Sequence, residues 1–326
     1  MKPRAAVIGT VFMDCKGFAR QLYDPYGRNL GSIKFVHGGV GRNVAQNLSL
    51  LNLEVFFVST IDDSALGEEV ARRLRQTQVN LDYLGVSKSH GMGLWLALLD
   101  QQGDLAGSIS QMPDLTLLQE MVDNRGQEIM ERVSHVVLEI DLNAEIAKKV
   151  IKISRQHNKP VYGIPGNLDV VLKHRDLLSH IECFICNDVE AGRLIGKNIT
   201  GSEINEVLQE LKALVKREGL PSMVITLGPR GSVYADSRTG DEGYQPAFET
   251  RVVDSSGAGD AFFSGTVAGL IRRLPLREAV VLGSKVASWT IQVEENTCFD
   301  IRDRLSRDDQ LLARLRDTIT APRIAL

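Results

Sequence analysis

Short apolar runs punctuate the chain: AAVIGT (5–10), EVFFVSTI (54–61), HVVLEI (135–140), PVYGI (160–164), CFICN (183–187) and MVITLG (223–228). Each has the length and composition of a strand buried on both faces. Between them, apolar residues recur at helical spacing in VAQNLSLLN (44–52), GEEVARRLRQ (67–76), AEIAKKVIKISRQ (144–156) and INEVLQELKALVKRE (204–218). In the last of these, Ile204, Val207, Leu208, Leu211 and Leu214 draw the stripe of an amphipathic helix. Strands alternating with helices predict an α/β fold. Its core is a doubly wound, mainly parallel sheet covered on both faces, with right-handed crossovers.

Two stretches break that rhythm. Residues 14–37 hold no helical pattern and end in GSIKFVHGG, and residues 91–110, GMGLWLALLDQQGDLAGSIS, read as a hairpin around Asp100-Gln101-Gln102-Gly103. Together they predict a small β-sheet lid over one end of the main sheet. No Ser/Gly-rich linker, low-complexity tract or internal repeat divides the chain, so one domain over 1–326 with the lid inside it is expected.

Composition narrows the function classes. With 326 residues and 43% hydrophobic content the chain can bury a sizeable core, and a net charge of −3 gives no reason to expect nucleic acid or an anionic membrane as partner. No apolar run approaches the roughly eighteen residues of a membrane span. The opening MKPRAAVIGTVFMD has no small-residue cleavage site after its hydrophobic stretch, so a cytoplasmic protein is expected. Four cysteines, Cys15, Cys183, Cys186 and Cys298, are too few for a disulfide framework. Cys183 and Cys186 form a CxxC inside a buried strand, where residues three apart point to opposite faces, and they read as two core thiols.

The chemistry lies in two glycine clusters. DSSGAGDAFFSG (254–265) runs into a helix whose Val267, Leu270, Ile271 and Leu274 face the core. Small residues at a helix start let a ligand approach unpaired N–H groups, which favour an anion and above all a phosphate. Asp260 beside such a site is electrostatically awkward unless it has chemical work to do. The alternative is that Gly257, Ala258 and Gly259 only allow tight helix–sheet packing. The second cluster, HGGVGRNVAQNLSLLN (37–52), leads from a Gly-Gly pair into a helix whose Arg42 and Asn43 bring donors to the first turn. Neither cluster has the third glycine of a dinucleotide-binding loop. GRLIGKN (192–198) imitates a Walker A loop, but is one residue short and carries Asn198 where Ser or Thr must hold magnesium.

Taken in order, these residues carry a resemblance. GGVGRNVAQNLSLL and DSSGAGDAFFSG resemble the paired signatures of the ribokinase-like (PfkB) carbohydrate and nucleoside kinases, and the match covers nearly the whole chain. CNDVEAG (186–192) is similar to the family's Asn-x-x-Glu segment, and ITLGPRGS (225–232) to its strand and turn over the nucleotide. Within the family, SIKFVHGGVGRNVAQNLSLL is most similar to pseudouridine kinases.

The resemblance implies transfer of the γ-phosphoryl group of ATP to the primary hydroxyl of a ribose-like substrate, pseudouridine first. It makes Asp260 the general base, with Gly257, Ala258 and Gly259 as the anion hole. Such a loose transition state depends on positioning and charge stabilisation more than on activation of the nucleophile. Asp14, Gly38, Gly39 and Asn43 match sugar-binding positions, though Asp14 also reads as a strand-end turn residue. Asn187 and Glu190 match the pair that orders magnesium and its waters, against a reading as strand-end Asn and solvated helix Glu. Thr226, Gly228 and Gly231 would flank ATP, and Asp254 and Ser256 would hold a monovalent cation such as K+.

Two departures bear on substrate and ion details. Ile164-Pro165 stands where many relatives carry Asp-Pro, and Thr60-Ile61-Asp62-Asp63 replaces their Val-Gly-x-Asp. A ribokinase or another sugar or nucleoside kinase is the first alternative. A catalytically silent sugar or nucleoside sensor is the second, disfavoured because a sensor could lose Asp260 freely. Open lid edges would let two copies pair as a homodimer.

Overall fold

The structure is a computed structural model that describes residues 2–88, 90–102 and 104–308. Gly103 of the expected turn and residues 309–326 of the expected domain lie outside those described. The chain opens with β1 (Arg4–Ile8), β2 (Phe12–Ala19), β3 (Gly31–Gly38), α1 (Val40–Leu50), β4 (Glu54–Asp62), α2 (Ala65–Gln76) and β5 (Asn80–Ser87). It continues through β6 (Gly93–Leu99), β7 (Leu105–Gln111), α3 (Thr116–Arg132), β8 (His135–Glu139), α4 (Ala144–Gln156), β9 (Val161–Ile164) and α5 (Asp169–Lys173). Then come β10 (Cys183–Asn187), α6 (Asp188–Ile195), α7 (Ile204–Glu218), β11 (Ser222–Thr226), β12 (Ser232–Asp236) and β13 (Glu242–Gln245). Three helices close the fold: α8 (Ala258–Ile271), α9 (Leu276–Thr290) and α10 (Ile301–Arg307).

Among the described residues the main sheet has nine strands in the order β13-β12-β11-β10-β9-β8-β1-β4-β5. From β11 to β5 the neighbours are parallel; β12 and β13 extend the edge in antiparallel pairs. The predicted apolar runs are these strands because both faces are covered. Alternate residues divide between two cores: Val7, Phe57, Val137 and Ile185 on one side with α1, α2, α8 and α9, and Ile8, Val58, Leu138 and Cys186 on the other with α3, α4 and α7. Cys183 and Cys186 fall in opposite cores as free thiols.

The chain runs from β1 to β4 on one side and later returns to place β8 on the other. Such a reversal of strand order opens a crevice at the carboxyl ends of the strands, where α/β sheets bind ligands. The four-stranded lid sheet, in the order β3-β2-β6-β7, is drawn from both stretches that lack the α/β rhythm. Its entry is clamped from the main sheet. Thr60 donates to the Gly91 carbonyl at 2.6 Å, and Asp62 accepts from the N–H groups of Gly91 and Met92. The departure at residues 60–63 thus anchors the lid hinge.

Candidate active site

The first turn of α1 is pressed against the loop that follows β1. Gly39 has φ +92°, and a Cβ there would lie 2.6 Å from the Thr10 carbonyl and from the Phe12 nitrogen. A Cβ on Gly41 would lie 2.6 Å from the Cα of Gly9. Gly38 instead makes room for the Asp14 carboxylate, because a Cβ at Gly38 would stand 3.0 Å from both of its oxygens. Arg42 is buried without a carboxylate contact. Its guanidinium donates to the carbonyls of His37 and Gly38 and, at 2.9 Å, to Gln46 Oε1, so it ties down the backbone of the Gly-Gly turn. Burial pushes its pKa down to about 10, and the same burial, with Arg42 beside it, takes His37 down to about 4.

The start of α8 is built differently. Gly257 has φ +75° and fits under the Asn296 carbonyl, but a Cβ on Gly259 would meet nothing within 4 Å. Ala258 N–H is already given to the Ser255 carbonyl at 3.2 Å, and the helical ladder begins with Ala261 N–H to the Gly257 carbonyl at 2.9 Å. The N–H groups of Gly259 and Asp260 precede that ladder and lie at the positive end of the helix dipole. Asp260 Oδ2 accepts from Asn43 Nδ2 at 2.7 Å, a bond that joins the two helix starts across 217 residues of sequence. Asn43 Oδ1, though buried, has no protein partner among the described residues.

Burial pushes Asp260 up to about 7, against the Asn43 hydrogen bond and Arg42, which lower it; Glu139 and Glu190 add to the rise. Glu139, at the end of β8, is itself raised by burial. It accepts Thr10 N–H at 2.7 Å and the Thr10 hydroxyl, and Asp141 pushes it further. Asp141 accepts N–H groups of Gly166, Leu168, Val170 and Val171, which fixes the turn into α5 beyond Ile164. Asp14, raised by burial against the charges of Lys16 and Arg42, adds to a cleft dense in carboxylates. Nothing in the sequence pattern singles out Glu139 or Asp141. Glycines at 9, 41 and 166 make space or hydrogen bonds for Glu139, but they are scattered along the chain.

Asn187 and Glu190 meet each other first. Asn187 caps α6 by accepting Glu190 N–H at 2.8 Å, and Glu190 returns the bond to Asn187 N–H at 2.8 Å, a capping box. Burial still raises Glu190, with Asp141 adding to the effect. Thr226 ends β11 beside Asn187, and Gly228 at φ +58° has open space where a Cβ would sit. Gly231, at φ +92°, is packed against Pro246 and Ala247. No hydrogen bond links Thr226, Gly228 or Gly231 to α1 or α8 among the described residues. Asp254 Oδ1 accepts Ser256 N–H at 2.8 Å, while Lys16 Nζ from the lid lies 3.6 Å from Asp254 Oδ2 and 3.4 Å from Ser256 Oγ. Asp254 is held low: burial acts upward, but the bonds from Ser256 and the Lys16 charge outweigh it. The imitation Walker segment closes α6, with Gly196 as a left-handed cap at φ +83°.

The family model described as pfkB family carbohydrate kinase matches residues 2–301. A guanosine-inosine kinase of Exiguobacterium acetylicum is 37% identical over 293 residues, covering 90% of this chain and 96% of that protein. A pseudouridine kinase of Escherichia coli (strain K12) is 27% identical over 294 residues, covering 90% and 92%. Among solved structures, Arabidopsis thaliana ribokinase complexed with ribose and ATP superposes with a TM-score of 0.79 at 20% identity, covering 97% of this chain and 99% of that one, which establishes the ribokinase-like fold. No described helix is long and apolar enough to cross a membrane.

Proposed function

This chain belongs to the pfkB family of carbohydrate kinases, and on that premise we propose that it is a nucleoside kinase transferring the γ-phosphoryl group of ATP to the primary hydroxyl of a ribonucleoside. The observation that carries the reading is the 2.7 Å bond between Asn43 and Asp260. It sets a buried amide with a free acceptor beside a carboxylate whose pKa near 7 suits a general base. The ribose lies under the lid, with hydroxyls on Asp14 and Asn43, which the packed turn at Gly38 and Gly39 holds in place. Its primary hydroxyl gives its proton to Asp260 Oδ as the oxygen bonds to the γ-phosphorus, whose bond to the bridging oxygen breaks to release ADP. The N–H groups of Gly259 and its neighbours hold the charge on the moving phosphoryl.

ATP lies over Thr226, Gly228 and Gly231, with its phosphates toward α8. Asp141 raises Glu139 and Glu190, and these two raise Asp260, so the cleft gathers negative charge that a cation on the ATP phosphates would offset. Among the described residues no three His, Cys, Asp or Glu side chains gather in a way that could hold a metal by themselves. Magnesium would therefore enter on the phosphates, with Glu190 and Asn187 ordering its waters, and would supply charge neutralisation for the transfer.

The 37% identity to a guanosine-inosine kinase supports guanosine and inosine as the first substrates to test. Pseudouridine is the second reading, supported by SIKFVHGGVGRN and the Escherichia coli relative. The test is kcat/KM for guanosine, inosine, pseudouridine, uridine and ribose with ATP and magnesium. A site that hydrogen-bonds one base should reject the others by much more than the ~1–3 kcal/mol of a methylene. A ribose preference would sink the nucleoside reading, and binding without turnover would favour the silent sensor.

A second copy docks on the lid's outer face. Cys15 pairs with Phe35 and Leu96, Gly17 with Ile33, and Leu96 with Ile109, so these side chains share the face opposite Asp14 and Lys16. Ile33, Phe35 and Ile109 are each more than half exposed, and the sheet has open edges at β3 and β7. Light scattering should give a dimer that Phe35→Asp converts to monomer. A monomeric wild type would exclude this interface.

A further inference from the structure

We infer that Lys16 is a positioning residue whose ammonium serves as the cation of the Asp254–Ser256 loop, so that the lid itself completes the anion site at the start of α8. The residues that the family resemblance assigns to a monovalent cation do not fit a free one in this chain. Asp254 Oδ1 is occupied by Ser256 N–H at 2.8 Å. Its other oxygen faces Lys16 Nζ at 3.6 Å, and the same ammonium donates to Ser256 Oγ at 3.4 Å. Both groups expected to ligate the ion already converge on one positive charge.

The placement follows from strand register. Lys16 stands two residues after Asp14 in β2, so both project from the face of the lid that covers the cleft. Lys16 pairs with Lys34 of β3, and Lys34 reaches Glu294 at 2.9 Å. Two neighbouring lid cations thus land on the two segments that frame the anion site, 254–257 and 291–296. Those segments are tied to each other by Asp254 N–H to the Ile291 carbonyl at 3.4 Å, with the neighbouring Val253 N–H on the same carbonyl at 2.7 Å. The Lys34 pair is largely solvated and contributes little. Only 12% of the Lys16 side chain is exposed, so its charge acts with much less screening.

The physical need is plain. Asp254 stands three residues before Gly257, and an uncompensated carboxylate there would oppose the phosphoryl charge that the first turn of α8 receives. A monovalent ion from solvent can neutralise it, but must be recruited. A lysine on the lid strand delivers the charge at high local concentration, and does so when the lid is seated. Lys16 therefore links lid closure to the readiness of the anion site.

The test compares the full-length wild type with Lys16→Ala and with Lys16→Met, which keeps most of the apolar stem. Thermal stability and nucleoside turnover are measured in potassium, ammonium and tetramethylammonium chlorides at equal ionic strength. The wild type should be indifferent to the cation in both readouts. In tetramethylammonium the variants should lose turnover by roughly tenfold, less than removal of a direct oxyanion donor costs. Potassium or ammonium should restore part of that loss and should raise Tm in the variants alone. Activation of the wild type by potassium as large as that of the variants would overturn the proposal. So would variants as active as wild type in tetramethylammonium, or impaired variants that neither cation rescues. Only the turnover readout rests on the kinase reading: if the wild type phosphorylates nothing yet the variants alone gain Tm from potassium, that reading fails and the role of Lys16 stands.

Discussion

The first turns of α1 and α8 meet through one hydrogen bond, Asn43 to Asp260, yet their glycines have opposite surroundings. On α1, Gly39 and Gly41 are jammed against the backbone of residues 9–12, and the residues that follow are buried almost without a break. On α8, Gly257 makes the tight turn under Asn296 while Gly259 looks into open space. Sequence pattern gives both clusters the same meaning, a backbone bared for a ligand. The structure separates them: the glycines of α1 serve close packing that fixes Asn43, Arg42 and the room for Asp14, and the glycine left open on α8 is the one a phosphate can reach. A glycine-rich helix start is a ligand site only on the side where no backbone already fills the space.

The largest effect should come from the acid at the junction. Asp260→Asn keeps the shape and the Asn43 neighbour but removes the base, so kcat should fall by about 10²–10⁴ while ATP affinity changes little. Turnover within a few-fold of wild type would take Asp260 out of the proton transfer. The contrast between the glycines can then be broken directly. Gly41→Ala forces a methyl into the Gly9 backbone and should cost about 1–3 kcal/mol or more, visible as a lower Tm. Gly259→Ala has space and lies in a helix, where alanine gains roughly 0.5–1 kcal/mol, so its Tm should hold or rise. Its turnover should fall, because the methyl enters the volume of the phosphoryl group. Matching losses of Tm in the two variants would erase the distinction.

How much of this was legible depended on where partners sit in the chain. Parallel strands such as β4 and β10 were legible because burial on both faces leaves unbroken apolar runs, and α4 and α7 because one face is wet. By contrast β5 (NLDYLGVS) is an edge strand with Asn80 half-buried and Asp82 exposed to solvent, and it shows no run. In α3 the apolar stripe is interrupted by Gly126, which a single-sequence pattern counts against a helix; it is there because a Cβ would come 2.7 Å from Ile153 Cδ1 of α4. Helix α9 lies against α8 with few polar faces, and Gly265 packs on Gly283. In the site, Asp260, Asn43 and Asp14 were legible through their motifs. Glu139 was not, since its donors Thr10 and Gly41 lie far off in the chain, Thr10 by 129 residues. Asn187-x-x-Glu190 was ambiguous for a physical reason: the same spacing makes a capping box, and here it does.

The last effect is also the sharpest probe of the junction, because it reads the charge of Asp260 without any substrate. Burial raises this carboxyl from its ordinary value of 3.8 to about 7 in the folded chain. A group with a raised folded pKa holds its proton more tightly when folded than when unfolded, so folding is penalised as pH climbs from about 4 through 7. The penalty is complete above 7 and absent below 4. Asp260→Asn carries no charge in either state and escapes it. The variant should therefore be more stable than wild type at pH 8, with a Tm gain that shrinks on acidification and disappears near pH 4. Glu139 and Glu190 face the same carboxyl and Arg42 opposes them, so Glu139→Gln should narrow the window by lowering the Asp260 pKa. Over the same range kcat/KM of the wild type should rise with pH through about 7, as the free enzyme gains its base. A Tm difference that is flat from pH 4 to pH 8 would place Asp260 in an ordinary carboxylate environment. The junction of α1 and α8 would then be a packing contact at both ends, without the charged asymmetry that sets the second helix apart from the first.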